Sequence, residues 1–241
     1  MEQRDVSQAI DGMIAELDKV LGPAFSAAAY GSIVRGDWVA GRSDVNVIVV
    51  LDDASPAALL KLTPALDAWH KRGLTPPLFI GRDEWNCASD VFPVEIVDMQ
   101  LAYRVLHGPD PIGAVKVDSE DLRRAVEAEL RGKLVRLRQA YVRFGETMPA
   151  LGGFATTSVP SLLVLLRATA VLFGRDAGRE PADTVRSLAD LLGPDGVVIA
   201  EIAAHRRDKE WTCPPGMFGR YLDVVRRAVD AVDTHNQHGA R

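Results

Sequence analysis

Residues 29–50 of this 241-residue chain read AYGSIVRGDWVAGRSDVNVIVV, and this stretch decides the fold. The short apolar segment at residues 25–30 predicts a strand that leads directly into Gly31 and Ser32. Residues 44–51 (DVNVIVVL) form a β-branched run, which predicts a second and buried strand. A loop rich in glycine and arginine separates the two. We therefore expect the centre of an α/β unit here, with polar residues at the turn and at the start of the second strand.

The sequence on both sides of this stretch alternates helix and strand patterns. Apolar residues at helical spacing predict a helix at the N-terminus and another between Ser55 and Gly73, with a kink at Pro64. Further strands are predicted at residues 78–80 and at residues 91–99 (VFPVEIVDM). Alternation of this kind is typical of an α/β domain, here with a small mixed sheet.

After Gly108 the strand patterns nearly vanish. Asp118 is placed to cap a long amphipathic helix, and Pro160 is expected to open a helix that is apolar on nearly every side, over residues 161–173. Three more helical segments are predicted near residues 181–192, 197–206 and 217–232. We predict two domains, an α/β domain over residues 1–115 and an all-α helical bundle over residues 116–241.

The composition excludes several classes of protein. A net charge of −5, from 28 Lys and Arg against 33 Asp and Glu, argues against nucleic-acid binding as the main activity. Two cysteines are too few for a disulfide scaffold or a zinc cluster. The N-terminus does not read as a signal peptide, and the longest apolar run is interrupted and too short to span a membrane. We expect a cytoplasmic protein with no membrane partner, and the sequence leaves both a monomer and a homodimer open.

The order of the polar residues resembles the nucleotidyltransferase superfamily of the DNA polymerase β type. In that pattern a strand ends in Gly-Ser, a loop follows, Asp-x-Asp lies on the next strand, and a later strand carries a third carboxylate between apolar residues. Here Gly31-Ser32 is followed by an eleven-residue gap and Asp44. Asn46 replaces the second Asp, and Glu95 stands at the third position. The chain looks most similar to small bacterial enzymes of the aminoglycoside adenylyltransferase kind, which add a helical bundle.

The resemblance implies Mg²⁺-dependent transfer of a nucleoside monophosphate from a nucleoside triphosphate to a hydroxyl acceptor. The implied site residues are Gly31, Ser32 and Arg42 for the nucleotide, Asp44, Asn46 and Glu95 for the metal, and Asp44 and Glu95 for catalysis. A glycine lets backbone amides approach phosphates closely. Side chains two apart on a strand point to one face, so residues 44 and 46 can share a metal ion.

Each of these positions also has a structural interpretation. Gly31-Ser32 can be a plain turn, Asp44 can cap a strand, Glu95 can be a partnered structural carboxylate, and Arg42 can be a solvated surface charge. Asn46 keeps a carbonyl oxygen but brings no negative charge and cannot bridge two metal ions. The alternative to an enzyme is therefore a catalytically degenerate protein that binds a nucleotide or another protein.

Other charged residues are open to two interpretations. Arg35 can neutralise phosphates or be solvated, like Arg42. Asp98 would lie on the opposite face from Glu95 if residues 91–99 form a strand. Lys133, Arg136 and Arg138 can face a nucleotide cleft or an acidic partner, although a charged outer helix face is the favoured interpretation.

Overall fold

The computed structural model describes residues 3–41 and 43–235. The chain forms two compact units, Met1–Val117 and Asp118–Arg241. The first unit contains a four-stranded mixed sheet with helices, and the described part of the second is helical. The predicted fold class, a small mixed sheet followed by an all-α region, is confirmed.

The sheet of the first unit has the order β3-β2-β1-β4. Its strands are β1 (Phe25–Tyr30), β2 (Asn46–Leu51), β3 (Leu78–Gly81) and β4 (Tyr103–His107). Strand β1 runs antiparallel to β2 and to β4, whereas β2 and β3 are parallel. The first three strands lie where the sequence predicts them, and β4 was not predicted.

In the described residues of the first unit, 3–41 and 43–117, there are six short or medium α-helices. They are α1 (Gln3–Leu21), α2 (Ser32–Arg35), α3 (Pro56–Leu60), α4 (Asp67–Lys71), α5 (Arg82–Asn86) and α6 (Pro93–Leu101). The single helix expected between Ser55 and Gly73 is divided, because Pro64 begins a separate 3-10 turn between α3 and α4. A proline cannot donate the backbone hydrogen bond that a continuous helix needs at that point.

The strand predicted at residues 91–99 is wrong, because this segment forms helix α6. Pro93 lies in the first turn of α6, where its missing N–H is not needed and its fixed φ favours a helix. A short apolar run does not by itself distinguish a strand from a buried helix. Glu95 therefore lies in the first turn of a helix, exposed to solvent, rather than on a strand of the sheet.

The two faces of the sheet are covered by different helices. Val47 and Val49 of β2 pack in one core cluster with apolar residues of α1 and with Trp69 of α4. Ile48 and Val50 belong to a second cluster, which includes Ile96 and Met99 of α6. Because side chains alternate along a strand, Asn46 shares the face of Ile48 and Val50. The α6 face is thus where Asn46 is directed.

The second unit is a set of helices dominated by two long ones. They are α7 (Ser119–Phe144), α8 (Met148–Leu172), α9 (Pro181–Ser187), α10 (Ala189–Leu192), α11 (Val197–Ala204) and α12 (Met217–Thr234). Helix α7 packs against α8 and α12. The Asp118 side chain caps α7 as predicted, because its Oδ1 accepts hydrogen bonds from the N–H groups of Glu120 and Asp121 at 2.8 and 3.3 Å.

Helix α8 begins twelve residues earlier than expected, at Met148, so Pro160 lies inside the helix rather than at its start. The predicted burial of residues 161–173 is confirmed for most positions, and Arg167 is only 1% exposed. Met148–Leu172 is long and apolar enough to cross a membrane, but 61% of its most apolar window is buried inside the protein. Core packing accounts for its apolar composition.

Candidate functional site

Gly31 forms the turn between β1 and α2 in a conformation that only glycine adopts readily. Its φ is +74° and its ψ is −145°. A Cβ placed on Gly31 would lie 3.2 Å from Nδ2 of Asn46, which is closer than an ordinary contact. The Gly31 N–H donates to the carbonyl oxygen of Ala102 at 3.0 Å. The turn therefore requires glycine, and the Asn46 amide lies directly beside it.

Ser32 begins α2 immediately after this turn. The Gly31 carbonyl oxygen accepts hydrogen bonds from the N–H groups of Val34 and Arg35, both at 3.0 Å. The N–H groups of Ser32 and Ile33 come before the first hydrogen-bonded N–H group of the helix. No carbonyl oxygen of the helix therefore accepts a hydrogen bond from them. Together with the half-buried Ser32 hydroxyl, they are donors available to an anionic group next to Gly31.

Asp44 is exposed and interacts with the loop that precedes β3. Its Oδ1 accepts a hydrogen bond from the Thr75 hydroxyl at 2.6 Å. Asp44 and Thr75 line a cavity of about 420 Å³, whose wall also includes Trp38 and Arg72. The Trp38 ring nitrogen donates to the carbonyl oxygen of Ser43 at 2.9 Å, which holds this loop in place.

The carboxylates of Glu95 and Asp98 on α6 affect the pKa of Tyr30, the last residue of β1. Glu95 and Asp98 are three residues apart on a helix, so they share one side of it. The expectation that Asp98 lies on the opposite face from Glu95 assumed a strand, and it is wrong because the segment is a helix. Burial, and then the charges of Asp98 and Glu95, raise the pKa of the Tyr30 phenol to about 12. Tyr30 is the cross-strand partner of Asn46, so these groups belong to the same face of the sheet.

A buried ion triad connects α2 with α6. The Arg35 guanidinium lies 3.3 Å from Oδ1 of Asp98 and 3.5 Å from Oδ1 of Asp37. The side chains of Arg35 and Asp37 are each 8% exposed, and that of Asp98 is 12% exposed. Arg35 is therefore neither a solvated charge nor a free phosphate ligand. It connects the segment after Gly31 to the helix that carries Glu95.

The sequence-predicted site residues are brought together only in part. Asn46 lies beside Gly31, and the charge of Glu95 contributes to the raised pKa of Tyr30, the cross-strand partner of Asn46, whereas Asp44 contacts Thr75. Over residues 3–41 and 43–235, no group of three or more His, Cys, Asp or Glu side chains could hold a metal ion. Arg42 lies outside the described residues. The assignments of Asp44, Asn46 and Glu95 to a metal and to catalysis stay predictions.

The sequence analysis missed Tyr30 and the pairing of Arg35 with Asp98. Tyr30 had a sequence signal, because it directly precedes Gly31 and has the strand parity of Ala28, whose face is covered by α6. The Arg35 pairing had no such signal, because its partner is 63 residues away along the chain.

No family model and no curated protein matches the sequence. Among solved structures, the chain is similar to spectinomycin adenyltransferase AAD(9) from Enterococcus faecialis, crystallised with ATP and spectinomycin. The two are 12% identical with a TM-score of 0.52, and the match covers 94% of this chain and 99% of that one. At this identity the likeness concerns the fold. The chain thus shares the fold of that adenyltransferase structure, a small mixed sheet followed by a helical C-terminal region, as the resemblance to such enzymes implied.

Proposed function

We propose that this chain is a cytoplasmic nucleotidyltransferase that moves a nucleoside monophosphate from a nucleoside triphosphate to a hydroxyl acceptor. The observation that carries the proposal is the Gly31 turn. Gly31 has a backbone conformation that only glycine adopts readily, and it has no side chain of its own to obstruct a ligand. The backbone N–H groups of the next two residues are available as donors. The solved structure with the same fold contains ATP, which supports a nucleoside triphosphate as the proposed substrate.

The triphosphate would bind with its phosphates over Gly31. The N–H groups of Ser32 and Ile33 and the Ser32 hydroxyl would donate to phosphate oxygens. Mg²⁺, when bound with the triphosphate, would be held by one or two carboxylates together with the phosphates, and Asp44 and Glu95 are the carboxylates that we propose for this role. There the ion would neutralise charge on the phosphates. Asn46 adds a neutral amide beside Gly31 rather than a third charge.

The reaction would be an in-line displacement at the α-phosphorus. A bond forms between the acceptor oxygen and the α-phosphorus, and the bond from that phosphorus to the β-bridging oxygen breaks, so pyrophosphate leaves. The exposed Glu95 carboxylate takes the proton of the acceptor hydroxyl. The buried pairing of Arg35 with Asp98 holds α2 and α6 at a fixed separation. The phosphate donors near Gly31 and the base Glu95 therefore keep fixed positions relative to one another.

A second candidate function is nucleotide binding without turnover, and Asn46 favours it. The amide next to Gly31 supplies no negative charge, so the site has two carboxylates where the resembled pattern has three. A protein of this kind would serve as a nucleotide-binding or protein-interaction module.

Calorimetry with each nucleoside triphosphate, with and without Mg²⁺, tests the proposal together with an assay of pyrophosphate release over a panel of hydroxyl compounds. Metal-dependent binding with pyrophosphate release supports the enzyme. Binding that ignores the metal and gives no release supports the second candidate. A chain that binds no nucleotide contradicts both.

Two variants and a control locate the metal contact. We expect Asp44→Ala to weaken Mg²⁺–nucleotide binding by about tenfold or more, because a charged ligand is lost. Asn46→Asp is expected to tighten that binding, because a third anionic oxygen joins the site. Asp11→Ala removes an exposed carboxylate from α1 and serves as the control. Equal Mg²⁺–nucleotide binding by all three variants and the wild type would show that Asp44 and Asn46 are not the site.

A further inference from the structure

Lys133 is a buried cation of the helical unit that donates a hydrogen bond to a neutral group. It lies on α7 with 7% of its surface exposed, and its ammonium donates to the hydroxyl of Ser161 on α8. Burial lowers the pKa of Lys133, the nearby charge of Arg136 lowers it further, and Glu129 acts in the opposite direction. A buried ammonium that is paired with a hydroxyl is poorly compensated for its lost hydration.

Arg136 adds a second cation next to Lys133. It lies three residues further along α7, on the same side of the helix, and its side chain is exposed. Its guanidinium lies back along the helix over Gly132, where an added Cβ would be 3.7 Å from Nη1. Across residues 119–235 of the helical unit, Arg136 forms no ion pair with a carboxylate. Two positive charges are thus close together without full compensation.

Ser161 opens this cluster to solvent. Its hydroxyl accepts from Lys133 and donates to the carbonyl oxygen of Ser158 at 3.1 Å, and the residue is exposed. A ligand oxygen that reaches Ser161 from solvent would therefore meet the hydroxyl and the end of the Lys133 side chain, and Arg136 supplies a second cation three residues further along α7.

We propose that Lys133, Arg136 and Ser161 form a binding site for a phosphate-type oxyanion on the helical unit. A phosphate group supplies the negative charge that would compensate the buried ammonium of Lys133, and it can accept charge-assisted hydrogen bonds from both cations. The site is independent of the proposed nucleotidyl transfer, because it uses none of the residues of the first unit.

Inorganic phosphate is the probe that tests the site on the full chain. Binding is measured by calorimetry and by the thermal midpoint of unfolding, with sodium chloride at matched ionic strength as the salt control. We expect phosphate to bind and to raise the midpoint in the wild type. Lys133→Met keeps the length of the side chain without its charge, and it should weaken phosphate binding at least tenfold. Arg138→Gln on the same helix is the matched control and should bind phosphate as the wild type does.

The unfolding data separate a ligand site from a structural lysine. If Lys133 binds an anion, Lys133→Met without phosphate is at least as stable as the wild type, because a poorly compensated buried charge has been removed. A destabilised Lys133→Met whose phosphate response is unchanged overturns the proposal. Ser161→Ala is the second variant should Lys133→Met not fold, with a loss of at least threefold expected and unchanged binding refuting the site.

A competition arm identifies the source of the phosphate group. If a nucleoside triphosphate displaces inorganic phosphate and loses this ability in Lys133→Met, the site takes a nucleotide phosphate. If phosphate binds and the nucleotide does not displace it, the site takes another phosphate-bearing ligand. Absence of phosphate binding to the wild type overturns the proposal in either form.

Discussion

Replacing Gly31 by alanine tests the turn on which the proposed nucleotide site depends. An L-residue at φ +74° and ψ −145° is strained by about 1–3 kcal/mol. The new Cβ would also lie 3.2 Å from Nδ2 of Asn46, so the amide must move by a few tenths of an ångström. We expect the free energy of unfolding of Gly31→Ala to fall by about 2–3 kcal/mol, which lowers the thermal midpoint by roughly 10 °C.

Two other glycines of the first unit separate the contributions to this loss. Gly36 has a φ of +92°, and a Cβ there meets nothing within 4 Å, so Gly36→Ala measures backbone strain without a contact. Gly12 lies in the middle of α1 with open space around it, and Gly12→Ala should stabilise the chain by about 0.5–1 kcal/mol. Urea unfolding of the three variants gives the free energies on one scale.

The Asn46 contact and the phosphate contact are measured separately. Adding Asn46→Ala to Gly31→Ala should recover part of the lost stability, because the amide no longer obstructs the Cβ. Gly31→Ala should also weaken nucleoside triphosphate binding at least tenfold relative to Gly36→Ala. The reasoning is refuted if Gly31→Ala is no less stable than Gly36→Ala, or if Gly31→Ala binds the nucleotide as tightly as Gly36→Ala does.

Two further predictions concern the α6 face. Arg35→Met removes a buried guanidinium that contacts two buried carboxylates and should cost about 3–5 kcal/mol in unfolding free energy, whereas Arg82→Met, which breaks an exposed pair with Asp52, should cost at most about 1 kcal/mol. Similar losses in the two variants would contradict the burial of the triad. The pKa of Tyr30 is about 12 in the folded chain against an ordinary value of 10.0, so its contribution to stability is complete below pH 10 and is lost as the pH rises to 12. Urea unfolding between pH 9 and pH 12 should show a smaller decline for Tyr30→Phe than for the wild type, and equal declines would show that the phenol is not shifted.

Local patterns were sufficient for the elements around Gly31. The strand before it and the strand after Asp44 were predicted because β-branched and small apolar runs between turn residues have few alternative conformations. The cap at Asp118 is also a local interaction, since its side chain bonds to backbone N–H groups two and three residues ahead.

Local patterns failed where two conformations bury the same residues equally well. Residues 91–99 are compatible with a strand and with a helix. Pro93 in the first turn favours the helix, and Ile96 and Met99 pack against the sheet from it. The error carried over to the site, because strand parity separates Glu95 from Asp98 and helix periodicity brings them to the same side. The prediction that Pro160 begins a helix is wrong for a similar reason. Helix α8 starts at Met148 and continues through Pro160 with most of its apolar residues buried.

The order of residues alone was enough to predict the succession of strand, Gly-Ser turn and strand and the helical character of the second half, and to show that Asn46 replaces the second motif carboxylate. Only the tertiary structure decided which side chains meet. It placed the Asn46 amide against Gly31, paired Arg35 with Asp98, directed Asp44 to Thr75 and buried Lys133 beside Ser161. These contacts join segments that are 15 to 63 residues apart, and their geometry depends on how whole elements pack, which no local pattern of residues specifies.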